Sequence, residues 1–192
     1  VKQIGDNIFE NCTALNELTI PKSVSEIGNC SFLGCTNLYK ITLPESILKI
    51  SNNMFNGCNS LNEIIIPDSV KEIGEYSFSC CTSLKKVKLP NSLEVIHNGS
   101  FSGCNSIEEI TIPETIKKIG NKSFENCTSL KEVILPASTE KIGEHSFSHC
   151  SNIIKIVIKS PMINIGENSF TGCNIKEISI PSSTELIYNY FK

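Results

Sequence analysis

The 192-residue sequence contains no Trp and no Arg, so all 17 of its basic residues are Lys. The absence of Arg removes the planar guanidinium that many enzymes use to bind carboxylate and phosphate groups through two hydrogen bonds. The 17 basic and 20 acidic residues nearly balance, which argues against a nucleic-acid-binding face. No apolar run approaches the roughly 20 residues of a membrane-spanning helix. We therefore expect no nucleic-acid partner and no membrane insertion by this segment.

The common signatures of catalysis and of cofactor binding are also missing. The sequence has no G-x-x-x-x-G-K, no G-x-G-x-x-G and no G-x-S-x-G, and it lacks the C-x-x-C and H-E-x-x-H spacings of metal sites. The three His residues, His97, His145 and His149, fall at positions that we expect to be solvated. The sequence predicts no catalytic residue, no metal and no cofactor, and hence not an enzyme.

A repeat of 23 residues fills the chain. Phe recurs at Phe9, Phe32, Phe55, Phe78, Phe101, Phe124, Phe147 and Phe170. Cys recurs with the same period at Cys12, Cys35, Cys58, Cys81, Cys104, Cys127, Cys150 and Cys173. Self-similarity at a fixed period of this length is typical of solenoid proteins. We interpret the Phe and Cys sets as two structural ladders of buried side chains along the axis of the array.

Each repeat predicts one coil of such a solenoid. In the third repeat Ile64 and Ile66 are two residues apart, the period of a β-strand, and Pro67 ends the strand because it cannot donate to a ladder. Phe78 and Cys81 are three residues apart, as in a single helical turn. One unit cannot bury its apolar side chains alone, so equivalent strands of stacked units should pair in a parallel sheet about 4.8 Å apart.

The repeat has irregularities near both ends. Lys159 replaces an expected Pro, one residue is missing after Cys173, and the chain begins in the middle of a unit. We interpret residues 1–192 as a single solenoid of about eight repeats, cut from a longer array.

The pattern F-x-x-C-x-x-L-x-x-I-x-I-P-x-x-V-x-x-I-G resembles the BspA-like class of leucine-rich repeats, from Val1 to Ile187. The resemblance implies an α/β repeat solenoid: a right-handed superhelix with a parallel β-sheet on one face and short helical or 3-10 turns and loops on the other. Many members of that class occur on the surfaces of bacteria and parasitic protists, where adhesion and binding to host matrix proteins are reported for some. No enzymatic activity belongs to the repeat itself. Such a resemblance implies fold more strongly than function.

Ten Cys residues suggest a disulfide framework, but the spacing favours free thiols. Eight of them occupy one core slot per repeat, and the Cβ vectors of stacked neighbours should run parallel rather than toward each other. Cys30 and Cys80 lie off this ladder, and we expect them to be the more accessible thiols.

The outward face of the predicted sheet is the candidate partner-binding surface. Its first outward position alternates in charge for six of seven neighbouring pairs: Glu17, Lys40, Glu63, Lys86, Glu109, Glu132, Lys155 and Glu177. Opposite charges on neighbouring strands contribute roughly 0.2–1 kcal/mol each, so this row serves register and solubility or, alternatively, partner binding. Lys88 and the apolar side chains Tyr39, Ile65, Ile134, Ile154 and Val157 lie near this row. Apolar side chains there either anchor a protein partner or reflect the β-propensity of branched residues.

Three kinds of function stay open at this stage. The first is a protein-binding scaffold in a cell-surface or secreted protein, with an extracellular matrix or host surface protein as partner and a glycan as a further possibility. The second is an intracellular, cytoplasmic interaction scaffold. The third is the recognition region of a larger protein whose active domain lies outside this segment. Five N-x-S/T sequons, at Asn11, Asn29, Asn98, Asn121 and Asn126, are compatible with secretion or with the Asn-rich composition alone.

Overall fold

A computed structural model describes residues 1–182, and these form a parallel β-solenoid of about eight coils. We number the coils 1 to 8 by their Phe residues, from Phe9 to Phe170. The sequence after residue 182, including Ile187 and the last Phe, lies outside the described residues. Most coils contribute two short strands, one to each of two parallel sheets, and the chain returns through a turn between them.

The first sheet, here called the front sheet, is the one that the sequence predicts. Its strands are β2 (Glu17–Thr19), β4 (Lys40–Thr42), β6 (Glu63–Ile65), β8 (Lys86–Lys88), β11 (Glu132–Leu135), β13 (Lys155–Ile158) and β15 (Glu177–Ser179). The parallel register places each residue opposite its equivalent one repeat later, as in Glu17 opposite Lys40 and Glu132 opposite Lys155. The hydrogen-bonded ladder is interrupted, giving the groups β2-β4, β6-β8 and β11-β13-β15.

A second parallel sheet, here called the lateral sheet, is absent from the sequence-based prediction. Its strands have two residues each: β1 (Gln3–Ile4), β3 (Glu26–Ile27), β5 (Lys49–Ile50), β7 (Glu72–Ile73), β9 (Val95–Ile96), β10 (Lys118–Ile119), β12 (Lys141–Ile142) and β14 (Asn164–Ile165). Strands β5 to β14 form one continuous six-stranded ladder, and β1 pairs with β3 separately. The second residue of each strand is an Ile, which Gly follows in six of the eight coils, and from Ile27 onward this Ile is buried in the core.

The third side of the solenoid, here called the turn face, contains no helix in residues 1–182, so the prediction of helical or 3-10 turns is wrong for this part of the chain. Each coil instead has two residues with left-handed backbone on this face, for example Tyr76 (φ 52°) and Cys80 (φ 57°). Their N–H groups and that of the intervening Phe78 donate to carbonyl groups of the next coil. In a helix these N–H groups would donate to carbonyl groups of the same coil. The three hydrogen bonds that the turn face makes to the next coil would then be lost.

The core is a stack of identical side chains. Neighbouring Phe rings lie nearly parallel with centroids 5.1–5.4 Å apart along all eight coils. The rings from Phe32 to Phe147 are fully buried. Leu and Ile side chains from both sheets complete the packing around them. Each coil therefore covers the apolar surface of its neighbour, which is how a 23-residue unit acquires a core.

Coil 7 departs from the pattern where Lys159 replaces Pro. Lys159 keeps a backbone N–H, which donates to the carbonyl of Leu135 at 2.9 Å, and β13 accordingly runs for four residues. Met162 then stands 85% exposed, although Ile116, two coils earlier in the same slot, is fully buried. The substitution thus lengthens a front strand and turns one core residue outward.

Candidate interaction surface

Three rows of outward side chains run along the front sheet. The first strand residue supplies the charged row from Glu17 to Glu177, and the third supplies a row that includes Ile65, Lys88, Ile134 and Val157. The residue just before each strand supplies another row, containing Tyr39 and Ile154. Lys85, Glu108 and Lys131 belong to this last row but were missing from the sequence-based set. Their spacing of 23 residues, one position ahead of the charged row, was the signal that could have identified them.

The charged row makes fewer ion pairs than its alternation predicts. Within residues 1–182, only Lys155 Nζ and Glu132 Oε1 of this row approach to ion-pair distance, at 2.8 Å. The hydrogen bond and the negative charge of Glu132 raise the pKa of Lys155. The remaining charges of the row, which also lie within the described residues, are exposed to solvent and are not within ion-pair distance of one another. Even a surface ion pair would contribute little to stability at such positions.

A second ion pair lies in the neighbouring row. Lys131 Nζ and Glu108 Oε2 are 2.6 Å apart, and the hydrogen bond from Lys131 holds the pKa of Glu108 below its ordinary value. These two pairs satisfy charges within the face itself. The front sheet therefore presents a mixed-sign surface rather than the single-sign field that captures polyanions.

Exposed apolar side chains concentrate around the Glu132–Lys155 pair. Ile134 and Val157 stand opposite each other in the ladder, two residues beyond that pair, and Ile154 directly precedes Lys155. Ile134 is 41% exposed and Ile154 is 46% exposed. Val157 is half-buried. We call Ile134, Ile154 and Val157 the apolar cluster. By contrast, Ile65 is 66% exposed but stands opposite Lys88, separate from this cluster.

The ladder cysteines make a structural hydrogen bond in place of disulfides. All ten thiols are free among the described residues. From coil 2 onward each ladder Sγ lies 2.9–3.2 Å from the backbone carbonyl oxygen of the Phe in the preceding coil. Burial raises the pKa of six of these thiols, those of Cys35, Cys58, Cys81, Cys104, Cys127 and Cys173, and for Cys81 and Cys127 it lies well above the ordinary value. Such thiols are poor nucleophiles.

The off-ladder thiols and the histidines do not assemble into a reactive site. Cys80 is exposed and Cys30 is partly exposed, both at left-handed positions of the turn face. His145 and His149 occupy other left-handed positions of that face, whereas His97 Nε2 lies 3.3 Å from Glu72 on the lateral sheet. Residues 1–182 contain no group of three or more His, Cys, Asp or Glu side chains that could hold a metal ion. They also contain no helix with the length and apolarity needed to cross a membrane.

The repeat geometry agrees with a comparison against protein-family models. A model described as the BspA type leucine rich repeat region matches residues 2–98 and 71–191, in six copies. The chain belongs to this leucine-rich-repeat family. No curated protein matches the sequence.

Solved structures of other leucine-rich-repeat proteins share the fold. A leucine rich cell surface protein from Faecalibacterium prausnitzii A2-165 superposes with a TM-score of 0.68 at 24% identity, over 96% of this chain and 59% of that one. A T. pallidum leucine rich repeat protein gives 0.66 at 29% identity, over 95% and 72%. The pneumococcal vaccine antigen PcpA gives 0.59 at 21% identity, over 100% and 64%. The chain thus spans about three fifths of the Faecalibacterium protein.

Proposed function

We propose that this leucine-rich-repeat segment is a non-enzymatic scaffold that binds a protein partner on its front sheet. The apolar cluster beside the Glu132–Lys155 ion pair supports this most directly. Exposed apolar side chains next to mutually satisfied charges form the kind of surface that a protein partner can desolvate at low cost. Residues of the charged row, with Tyr39, Ile65 and Lys88, would form the polar and outlying part of the interface.

The chemistry of the chain supports binding more than catalysis. Seven ladder thiols donate hydrogen bonds to Phe carbonyl groups, and the two off-ladder thiols, Cys30 and Cys80, lie on the turn face rather than on the front sheet. His145 and His149 share the turn face of coil 7, His97 lies on the lateral sheet, and none of the three lies on the front sheet with the apolar cluster. General acid–base catalysis needs such groups convergent on one substrate position.

We further propose that the segment belongs to a cell-surface or secreted protein and that its partner is an extracellular matrix or host surface protein. The Faecalibacterium protein is described as a cell surface protein. Its 24% identity establishes a shared fold, so location is an inference for this chain. Two sequons, Asn11 and Asn126, lie exposed on the turn face rather than on the front sheet, so attached glycans would leave the proposed binding surface open.

Affinity capture tests this proposal. The chain is used as bait against solubilised extracellular matrix, intact-cell surface proteins and cytosolic lysate, with a glycan array as a parallel arm. The proposal predicts that one or a few proteins from the first two sources are retained, and that retention survives deglycosylation of those proteins. Retention of cytosolic proteins alone would refute the surface role, and binding to glycans alone would refute a protein partner.

A further inference from the structure

The junction between coils 2 and 3 lacks bonds that the lateral sheet makes elsewhere. At the other six junctions, the residue after each strand Ile donates its N–H to the equivalent Ile carbonyl of the preceding coil, as Gly74 does to Ile50 at 2.8 Å. Ser51 occupies this position in coil 3, and its N–H does not make the bond to Ile27. Leu48, on the other side of strand β5, likewise does not donate to Ser25, although Lys71 donates to Leu48 at 3.0 Å one junction later.

The side chain of Ser51 accounts for the missing bond. Its hydroxyl donates to the carbonyl oxygen of Ile27 at 2.5 Å, so at this junction a side-chain donor bonds the acceptor that a backbone N–H bonds at the other junctions. Six of the eight coils have Gly at this position, and coil 5 has His97. His97 also carries a Cβ, but its N–H still donates to Ile73 at 2.9 Å, and its ring instead faces Glu72. The hydroxyl, rather than the presence of a Cβ, therefore distinguishes coil 3.

The front sheet is interrupted at the same junction. The backbone N–H of Tyr39 donates to Asn16 at 2.9 Å, and that of Lys85 donates to Asn62 at 2.9 Å, but Asn62 makes no equivalent bond to Tyr39. Strands β4 and β6 accordingly belong to different hydrogen-bonded groups. Among the junctions between coils 1 and 8, this is the one at which both sheets lose their backbone ladder.

The turn face stays intact across this junction. Cys30, Phe32 and Gly34 donate their N–H groups to coil 3 at 3.0, 2.9 and 2.8 Å. The rings of Phe32 and Phe55 stack with centroids 5.4 Å apart. On the lateral side, a groove of about 590 Å³ lies over the junction, and Leu48 at its centre is 67% exposed. The backbone ladder is thus kept along the turn face and absent along the two sheets. Isolated hydrogen bonds still cross the junction elsewhere, among them those from the Ser51 hydroxyl to Ile27, from the Ser69 hydroxyl to Ile47, and from the Ser60 N–H to Thr36.

We infer that the coil 2–coil 3 junction is a hinge of the solenoid, with its axis along the turn face. Backbone bonds on that face resist separation, whereas the two sheet sides can open or close by exchanging the Ile27 carbonyl between the Ser51 hydroxyl and the Ser51 N–H. Bending there changes the angle between the front-sheet residues of coils 1 and 2, including Tyr39, and those from Ile65 onward. The hinge stands on the hydrogen bonds of this junction, and only its consequence for partner binding rests on the proposed function.

Hydrogen exchange of the full chain tests the inference first. One missing hydrogen bond corresponds to about 1 kcal/mol, so the amides of Leu48 and Ser51 should exchange at least about five-fold faster than those of Lys71 and Gly74. Ser51→Ala removes the hydroxyl while keeping a Cβ, and it should slow exchange at these two amides to the rates of their equivalents. His97→Ala at the same position of coil 5 is the control and should change neither. Equal rates in the unmodified chain would overturn the inference.

Spin-label distances test the motion itself. Label pairs at Gln3 and Glu72 and at Glu72 and Lys141 each span three coils of the lateral sheet, but only the first pair crosses the proposed hinge. Both pairs are placed in a background in which the exposed and partly exposed native thiols are replaced, with Cys12→Ser, Cys30→Ser, Cys80→Gly and Cys173→Ser, so that these thiols do not react. The first pair should give a broader distance distribution than the second, and Ser51→Ala should narrow it to the width of the second. If Ser51→Ala does not fold, Ser51→Gly, with the residue of six other coils, replaces it. Equal widths for the two pairs, or no narrowing, would contradict a hinge.

Discussion

The thiol of Cys104 donates a hydrogen bond to the backbone carbonyl of Phe78, one coil earlier, over 2.9 Å. The same relationship recurs along the chain and joins the two most regular features of the sequence. The Cys slot needs a side chain that is small enough for the closely stacked coils and that supplies a donor for a carbonyl facing it. Cys meets both needs while remaining largely apolar.

Alkaline pH should destabilise the protein through these thiols. Burial raises the pKa of Cys173 to about 12 and that of Cys81 well above its ordinary value. An unfolded thiol titrates near pH 8.5. Because the folded pKa is the higher one, the stabilisation is fully present below about pH 8.5 and is lost as the pH rises from there toward the folded pKa values.

Each such thiol should lower the free energy of unfolding by about 1.4 kcal/mol per pH unit in that range. Urea unfolding measured between pH 8.5 and 10 checks this. Cys104→Ser keeps a donor for the Phe78 carbonyl but removes one titrating thiol, so its slope against pH should be shallower by one proton. An unchanged slope would show that Cys104 does not contribute to the pH dependence.

The Phe stack should contribute most in the middle of the array. Phe78 is fully buried with a stacked ring on each side, whereas Phe9 is partly exposed and stacks on Phe32 alone. Phe78→Ala should lower the free energy of unfolding by about 3–5 kcal/mol, and Phe9→Ala should lower it clearly less. Chemical unfolding of both variants provides the comparison, and equal losses would argue against a continuous core.

Lys122 has a left-handed backbone conformation, and replacing it with a residue that tolerates this conformation should stabilise the protein. Lys122 has a φ of 56°, at a position where coils 1, 3 and 8 have Asn. Asn tolerates this region, whereas other L-residues lose about 1–2 kcal/mol there. Lys122→Asn should therefore raise the free energy of unfolding by about 1 kcal/mol. The exposed strand residue Lys118, changed to Asn, serves as the control and should give no gain; a gain of the same size there would contradict the strain explanation.

The sequence predicted the elements that repeat with an unambiguous period. Phe and Cys at 23-residue spacing predicted the coil, and Ile64 with Ile66 predicted the front strand. The lateral strands were missed because each has two residues, only one of which points inward, so no alternation is visible. Three-residue spacing between Phe78 and Cys81 fits a helical turn and the observed left-handed turn equally well.

Part of the turn conformation was nevertheless encoded in composition. Ten of the sixteen left-handed positions in residues 1–182 are Asn or Gly, the residues that adopt this backbone most readily. The rows of outward side chains were predictable from the sequence, but the ion pairs within them were not. Long Lys and Glu side chains can reach more than one partner, and the periodic sequence does not show which one they contact. The missing lateral-sheet bond between coils 2 and 3 was not predictable, since it depends on whether the hydroxyl or the N–H of Ser51 bonds the Ile27 carbonyl.

Binding to the apolar cluster is the central claim, and measured affinity for a captured partner tests it most directly. In the triple variant Ile134→Thr, Val157→Thr, Ile154→Asn, each new residue already occurs in the same row of other coils, so the sheet should be preserved. Leu48→Lys is the matched control, because it removes an exposed apolar side chain from the lateral sheet and installs the residue found there in coils 4 and 6. The account predicts that the triple variant raises the dissociation constant at least about tenfold and that Leu48→Lys leaves it unchanged. An unchanged dissociation constant for the triple variant would contradict binding of the partner at the apolar cluster.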